Sequence, residues 1–418
     1  MARSSIADGA ASARRSTFVT LLAGYGAYYL CRANLGVAAP LLQSELRLDK
    51  EQIGAIGGIA TLVYAVGKFT LGPTADLLGG KRVFLVGLAV AVVANFAFGL
   101  SVALPAMILL WSINRFAQSA GWMGLVQLVS GWYDRAEYGV VMAWLSLSFL
   151  LGDVAARGFG AGIVGLGLGW RALFFLPALA CAAFLLVASR TLHAPPEHRR
   201  GDAAPVARDV SADLRDIFRT LARSWGFWMS CVLSFLLTFL RTVFLDWTVL
   251  FLVESGTATW KAALQSALFP LTGAAGTLFA GWYTDRVSGS RRGPVAAGML
   301  GLLVVSLAAL ALLGTSSRVV ALVSIAAAGF LMLGPYSLLG GCLALDYGGK
   351  RAAATAAGIN DGVGYVGGSA SGLVLGGVVQ HDGWATAFLV LAACGALSFV
   401  VAVVFAATAE RREAAQGP

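Results

Sequence analysis

Apolar segments of about 20 residues or more recur from one end of the chain to the other, and they limit the possible folds more than any other feature. Each segment can cross a hydrocarbon core of about 30 Å, because a helix rises about 1.5 Å per residue. Hydrocarbon offers no partner for backbone N–H and C=O groups, and the segments lack the alternating pattern of barrel strands, so we expect helices. The sequence predicts twelve spans: 17–42, 52–76, 83–103, 105–132, 139–165, 171–190, 225–253, 261–283, 293–314, 318–345, 352–378 and 384–408.

The charged residues predict how the chain lies in the membrane. Only 12% of the 418 residues are charged, against about a quarter in soluble domains. Twenty Lys and Arg residues lie in the loops and tails on the side that carries both termini, and five lie on the opposite side. Cytoplasmic loops are enriched in Lys and Arg, so we expect a multi-pass protein of the cytoplasmic (inner) membrane with both termini cytoplasmic. The net charge of +9 follows from this bias, so we expect the lipid bilayer and no nucleic acid as a partner.

The chain repeats itself at an offset of 209 residues. The motif "GPTAD" ends the second span with Gly72 and Asp76, and "GWYTD" ends the eighth span with Gly281 and Asp285. Two homologous halves that run in the same sense predict a pseudo-twofold axis along the membrane normal, with a cavity between the halves. The fold class is therefore an all-α integral membrane protein of two six-helix bundles.

A polar stretch with three prolines separates the two copies of the repeat. This composition is typical of a linker. The predicted domains are a bundle at 1–190, a cytoplasmic linker at 191–223 and a bundle at 224–418.

Two arginines lie far from the ends of their spans, and the 209-residue offset relates Arg32 to Arg241. Tyr25, Tyr29 and Arg32 share one helical face at i, i+4 and i+7, and the offset gives a second polar stripe that ends in Arg241. An arginine at a span centre costs about 2.5–3.5 kcal/mol on insertion scales, so it is seldom there without a partner.

The charges inside the spans do not balance. Five cations (Arg32, Lys68, Arg115, Arg157 and Arg241) face three acids (Asp153, Asp246 and Asp361). The excess favours an anionic substrate over the alternative, in which the arginines only form internal salt bridges. Two planar guanidinium forks suit the oxygens of a phosphate or phosphonate.

The remaining charged residues of the spans have more than one interpretation. Lys68 follows Tyr64 by one turn, so it contacts the ligand or a gate, or else snorkels to the cytoplasmic edge. Asp246 is off the face of Arg241, which favours a charge partner elsewhere. Asp361 and Tyr365 are one turn apart, and Asp361 binds substrate, carries a proton or pairs with Lys68. We expect Asp153 and Arg157 to form a local ion pair.

The segments at 67–82 and 280–293 predict a duplicated gate. Each copy has a glycine and an aspartate at a helix end, followed by a turn and cations. Glycine permits close helix contact, and the aspartate can accept hydrogen bonds from the N-terminus of a neighbouring helix. The gate residues are Gly72, Asp76, Arg82, Gly281, Asp285 and Arg286.

Several of these segments resemble the major facilitator superfamily, and within it the organophosphate:phosphate antiporter family of the glycerol-3-phosphate and hexose-phosphate transporters. They are "GYGAYYLCRAN", "YAVGKF", "AQSAGW", "FLRTVFLDW" and "KRAAATAAGINDGVGYVGG". The resemblance implies that Tyr25, Tyr29, Arg32 and Arg241 bind phosphate. It also implies a charge-pair role for Asp246 and a cavity lining that includes Tyr64, Lys68 and Tyr365.

The chain departs from that family at several positions. Arg115 stands where the family often has glycine, and Asp361 stands where a small or neutral residue is expected. In the fifth span, "WLSLSF" keeps Trp144 but replaces polar groups of the glycerol-3-phosphate carriers. The residues that match the family's phosphate-binding positions are present, whereas the residues at the positions that recognise the organic part of the substrate differ. The resemblance therefore implies no individual substrate.

The sequence therefore predicts a secondary active transporter of organic phosphates that exchanges them for inorganic phosphate by alternating access. It predicts no enzyme, metal site or cofactor, and a monomer is sufficient. Two alternatives remain. One is a proton-coupled carrier of a phosphonate or another organic anion, in which Asp361 or Asp153 titrates, and the other is a membrane receptor that senses a phosphosugar.

Overall fold

The computed structural model describes residues 2–133, 135–195, 219, 221, 223–287, 292–338 and 344–416. All fifteen regular elements in this part of the chain are helices, and ten helical segments are long and apolar enough to cross a membrane. The all-helical prediction is confirmed. The helices are α1 (Ala2–Leu30), α2 (Asn34–Leu46), α3 (Lys50–Leu78), α4 (Gly80–Leu100), α5 (Leu104–Trp132), α6 (Arg135–Gly165), α7 (Ala172–Thr191), α8 (Trp225–Glu254), α9 (Thr259–Ser266), α10 (Leu268–Arg286), α11 (Arg292–Leu313), α12 (Arg318–Leu338), α13 (Ala344–Leu373), α14 (Leu375–His381) and α15 (Gly383–Gln416).

The other two predicted spans are also helical, but each has a feature that sets it apart. The fourth span corresponds to α5, which carries Asn114, Arg115 and Gln118 in its middle. The first span is divided into α1 and the 13-residue α2. The backbone N–H groups of Arg32 and Ala33 both donate to the carbonyl of Tyr29, at 3.1 and 3.0 Å, in a tight turn between the two helices.

The chain forms two compact units. The first contains Met1–Ala38 and Val63–Val206, and the second contains Ala39–Leu62 and Ala207–Pro418. The predicted bundles at 1–190 and 224–418 stay a prediction, because residues 196–218 of the predicted linker lie outside the described residues.

In the first unit α4 packs along α5 and α7, and α1 packs against α6 and α7. Small residues allow close approach, as membrane helices require when lipid is as apolar as their side chains. A β-carbon at Gly124 of α5 would come within 2.8 Å of the Phe84 nitrogen of α4. Tyr28 of α1 donates its hydroxyl to the Phe84 carbonyl at 2.6 Å, which joins α1 to the same pair of helices.

In the second unit α8 lies at the centre. It packs against α12, α13 and α15, and most of its length is buried. A second layer is formed by α10 on α12 and by α11 on α12 and α15. A β-carbon at Gly329 of α12 would overlap the carbonyl oxygen of Phe269, so α10 and α12 meet backbone to backbone.

The segment Ala39–Leu62 precedes the predicted linker yet belongs to the second unit. Its contact with α13 is made by small residues of α3. A β-carbon at Gly54 would overlap the carbonyl oxygen of Gly372, and one at Gly58 would lie 2.9 Å from the Ser369 oxygen. The helix α3 therefore contributes its first part to one unit and its second part to the other.

Candidate functional site

The site in the first unit is built around Arg32, which follows the end of α1 by two residues. Its Nη1 donates to the Tyr64 hydroxyl of α3 at 3.4 Å. Its Cζ lies 4.7 Å from the centre of the Tyr64 ring and 5.1 Å from the centre of the Tyr29 ring, which are cation–π distances. The stripe predicted on the first span is thus joined to the polar face predicted on the second.

Lys68 belongs to the same group of side chains. Its Nζ lies 5.4 Å from the Tyr64 ring centre and 5.8 Å from the Trp122 ring centre. Tyr25 packs on Trp122 at 5.3 Å between ring centres. Sequence reasoning placed Lys68, Tyr64 and Tyr25 at the site, whereas it missed Trp122.

A network of buried amides supports the turn that carries Arg32. Gln118 of α5 donates from Nε2 to the carbonyl of Cys31 at 2.8 Å and to the side-chain oxygen of Asn114. Asn34, the first residue of α2, donates to the Asn95 side chain at 2.9 Å and to the Leu173 carbonyl at 3.1 Å. Buried amides of this kind fix both sides of the turn, because an unsatisfied polar group is costly in a low dielectric.

The site in the second unit is built around Arg241, which is 6% exposed in the middle of α8. Its Nη2 donates to the Tyr365 hydroxyl of α13 at 3.4 Å. Its Cζ lies 4.8 Å from the Tyr336 ring centre and 5.7 Å from the Tyr365 ring centre. Each unit therefore holds one arginine against a tyrosine hydroxyl and two aromatic rings.

Sequence reasoning did not select Tyr336, although a signal for it exists. "GWRALFF" and "GWATAFL" are related by an offset of 214 residues in the later part of each half. The same offset pairs Tyr336 with Trp122, the ring beside Lys68. An aromatic residue at equivalent points of both halves was therefore visible in the repeat.

The three acids inside the spans differ in their contacts and in their exposure. The carboxylate of Asp153 accepts from Nε of Arg157 at 2.7 Å, and both side chains are buried on α6, which confirms the predicted ion pair. Asp246 on α8 and Asp361 on α13 are partly exposed. Their predicted roles in charge pairing or coupling stay predictions.

The first copy of the predicted gate is a tight turn. Gly79 has a φ of +85°, a region that glycine adopts without strain. The next residue, Gly80, donates its N–H to Gln127 at 2.7 Å. Asp76 and Arg82, on the two sides of this turn, are exposed.

Gly72 of the first copy and the described residues of the second copy of the gate show no such tight geometry. A β-carbon at Gly72 would lie 3.6 Å from the sulfur of Met123, which is ordinary contact. Arg286 is exposed and Gly281 is partly exposed, while the side chain of Asp285 lies outside the described residues. The latch role of these motifs stays a prediction.

Charged residues also join α3 to the second unit near its first turn. Lys50 Nζ lies 3.0 Å from the Glu254 carboxylate, and Trp384 donates its ring N–H to the same carboxylate at 2.6 Å. His381 contacts Glu51 at 2.8 Å. Glu254 is the residue that the repeat pairs with Glu45, and no role was predicted for it.

Comparison with known proteins bears on the family and the fold of the chain. The model of the Major Facilitator Superfamily matches residues 21–372 and 264–418. A protein of Chlamydia trachomatis named "Probable hexose phosphate transport protein" is 30% identical over 415 residues, covering 93% of this chain and 90% of the relative. The membrane sensor protein UhpC of Salmonella typhimurium is 28% identical, covering 94% of this chain and 91% of the relative. A solved structure of the nucleoside transporter NupG shares the fold at a TM-score of 0.77 and 15% identity, covering 93% of this chain and 99% of that one.

Proposed function

Because the chain belongs to the Major Facilitator Superfamily, we propose that it carries organic phosphates across the membrane in exchange for inorganic phosphate. The protein is an integral, multi-pass membrane transporter and not an enzyme. One observation carries the substrate proposal: Arg32 and Arg241 occupy equivalent places in the repeat, and each donates to a tyrosine hydroxyl. The similarity to a protein named for hexose phosphate transport supports the same substrate class.

The chemistry of the guanidinium group explains why phosphate suits this arrangement. Each planar fork donates two parallel hydrogen bonds to a tetrahedral oxyanion, whereas an ammonium group acts as a point charge. In the proposed mechanism both arginines hold one phosphoryl group, and Lys68 with Tyr25, Tyr29, Tyr64 and Tyr365 completes the lining.

Electrostatics explains why transport would be an exchange. If the proposed empty site holds its two guanidinium groups about 8 Å apart, they repel by roughly 2 kcal/mol at an effective dielectric of 20. A bound dianion reverses the sign of this interaction. Closure around the site is then easy when it is loaded and difficult when it is empty, so one anion leaves only when another replaces it.

The proposed setting follows from the charge distribution along the chain. The excess of Lys and Arg on one side supports a place in the cytoplasmic membrane with both termini in the cytoplasm. A monomer is sufficient for the proposed mechanism. Proton coupling, cofactors and metals are not needed for exchange driven by two phosphate gradients.

Counterflow of labelled phosphate in proteoliposomes tests the proposal. We expect wild-type protein to exchange internal phosphate for external phosphate and for organic phosphates. Arg32→Lys and Arg241→Lys should each nearly abolish exchange and leave the protein folded, because a point charge cannot replace the fork. Arg171→Lys is a matched control, since Arg171 also stacks on an aromatic ring, at 4.5 Å from the Trp170 centre, but is exposed at the start of α7.

The same assay separates the two alternative functions. Uptake that is accelerated by an inward proton gradient, without internal phosphate, would support a proton-coupled carrier. Binding of a phosphosugar without turnover would support a receptor, an alternative that the similarity to a membrane sensor keeps open. Exchange at the wild-type rate by either lysine variant would contradict the proposed role of the arginines.

A further inference from the structure

A third cation, Arg115, lies beside Arg32 and Lys68 in the first unit. Arg115 is in the middle of α5 and is 6% exposed. Its Cζ lies 5.6 Å from the centre of the Tyr64 ring. Since Arg32 and Lys68 contact the same ring, at 4.7 and 5.4 Å, three cations from three different segments surround one buried tyrosine.

The shared ring limits the separation of these charges. The Cζ atoms of Arg32 and Arg115 lie 4.7 and 5.6 Å from one point, so they are at most about 10 Å apart. That distance is within the length of a small metabolite with an anionic group at each end. Like charges this close repel, and a ligand that places negative charge beside both reverses the interaction.

The position of Arg115 is fixed relative to Arg32. Gln118, one turn further along α5, donates to the Cys31 carbonyl at 2.8 Å, immediately before Arg32. Asn114, the residue before Arg115, contacts the Ala91 carbonyl at 3.4 Å on α4. Rigid helices that are cross-linked by buried hydrogen bonds hold two binding groups at a constant spacing, as a selective site requires.

We propose that Arg115 forms a second anion-binding subsite, which selects organic phosphates that carry a further anionic group such as a carboxylate. The inference rests on the proposed function and narrows its substrate class. Arg32 binds the phosphoryl group and Arg115 binds the second anionic group. The guanidinium fork suits a carboxylate, to which it donates two parallel hydrogen bonds.

A matched pair of substrates tests the subsite. Phosphoglycerate differs from glycerol phosphate in that the terminal hydroxymethyl group is replaced by a carboxylate. In proteoliposomes loaded with inorganic phosphate, we expect wild-type protein to take up phosphoglycerate with a kcat/KM at least about tenfold higher, the effect of one charge-assisted hydrogen bond. Phosphoenolpyruvate, which also carries a carboxylate, should compete as phosphoglycerate does.

Replacement of Arg115 should remove this preference. In Arg115→Gln the kcat/KM for phosphoglycerate should fall about 10- to 100-fold, and the fall for glycerol phosphate should be at least about ten times smaller. Arg171→Gln is the control and should retain the wild-type values for both substrates.

Each outcome decides the proposal. An equal loss for both substrates in Arg115→Gln would assign Arg115 a purely structural role and overturn the subsite. Wild-type protein that exchanges phosphate but takes up both substrates equally would overturn it as well, and this measurement does not depend on whether the variant folds. Wild-type protein that exchanges no phosphate at all would overturn the proposed function together with the subsite.

Discussion

The hydrogen bond from Gln118 to the Cys31 carbonyl gives a quantitative prediction for the turn that carries Arg32. We expect Gln118→Met, which keeps an unbranched side chain of similar length, to remove the donor at 2.8 Å from Cys31 and the donor to Asn114. Each buried acceptor that loses its donor costs about 1–3 kcal/mol.

The substitution also removes a group that opposes stability. Within the described residues, Oε1 of Gln118 is buried without a hydrogen-bond partner, so its loss returns about 1–3 kcal/mol. The loss of two donors costs more than the removal of one unsatisfied acceptor returns, so we expect a net destabilisation of about 1–3 kcal/mol. Measurements on membrane proteins, about 0.6 kcal/mol for an average interhelical hydrogen bond, favour the lower end of this range.

The functional effect follows from the place of the bond, next to Arg32. A turn that samples other conformations reduces the fraction of protein in which the guanidinium group is oriented. A loss of 1.4 kcal/mol in preorganisation corresponds to a tenfold rise in the apparent dissociation constant. We therefore expect KM for phosphate to rise by up to about tenfold, with a smaller change in kcat.

Two measurements on the same protein check this reasoning. Thermal unfolding in detergent reports the stability, and counterflow of labelled phosphate at increasing concentration reports KM and kcat. Gln43→Met is the matched control, because Gln43 is a partly exposed glutamine on α2. Reduced stability with an unchanged KM would refute the claim that Gln118 orients Arg32, and an unchanged stability would refute the energetic argument itself.

Three further predictions concern packing and charge. Asp153→Ala should lower stability by about 3–5 kcal/mol in thermal unfolding, because it leaves Arg157 buried without its carboxylate at 2.7 Å. Gly54→Val should cost about 1–3 kcal/mol in the same assay, since the new side chain overlaps the Gly372 carbonyl. Tyr365→Phe should raise KM for phosphate about tenfold in counterflow and lower stability by about 1–3 kcal/mol in thermal unfolding, because it removes a buried hydrogen bond to a charged group.

Long apolar segments and the 209-residue repeat were sufficient to predict the helices and to select both arginines. These signals are local or periodic, and hydrocarbon forces any such segment into a helix. The turn at Arg32 was not predictable in this way. The segment "YLCRAN" contains neither proline nor glycine, so its interruption depends on tertiary hydrogen bonds from Gln118 and Asn34, which no local pattern reveals.

The contacts between helices were also beyond the sequence reasoning. The pairing of Tyr64 with Arg32 and of Tyr365 with Arg241 joins residues 32 and 124 positions apart. Such pairs depend on how the helices pack. Small residues decide helix packing in membranes, and they occur at so many positions that the sequence does not single out which helices touch. Trp122 was overlooked for a different reason, since an aromatic residue in an apolar span is most often a packing residue.

The helix α3 connects the binding residues to the packing of the second unit. Its second part carries Tyr64 and Lys68 in the first unit, and its first part packs through Gly54 on α13 in the second. The ion pair between Lys50 of α3 and Glu254 of α8 adds to the packing of this first part on the second unit.

The ion pair between Lys50 and Glu254 is the weaker part of this packing. The side chains of Lys50 and Glu254 are 15% and 29% exposed, and ion pairs near the surface contribute about 0–1 kcal/mol. The glycine contact adds close van der Waals packing between the backbones of α3 and α13. Without glycine at position 54, the backbones of α3 and α13 could not approach each other as closely as they do.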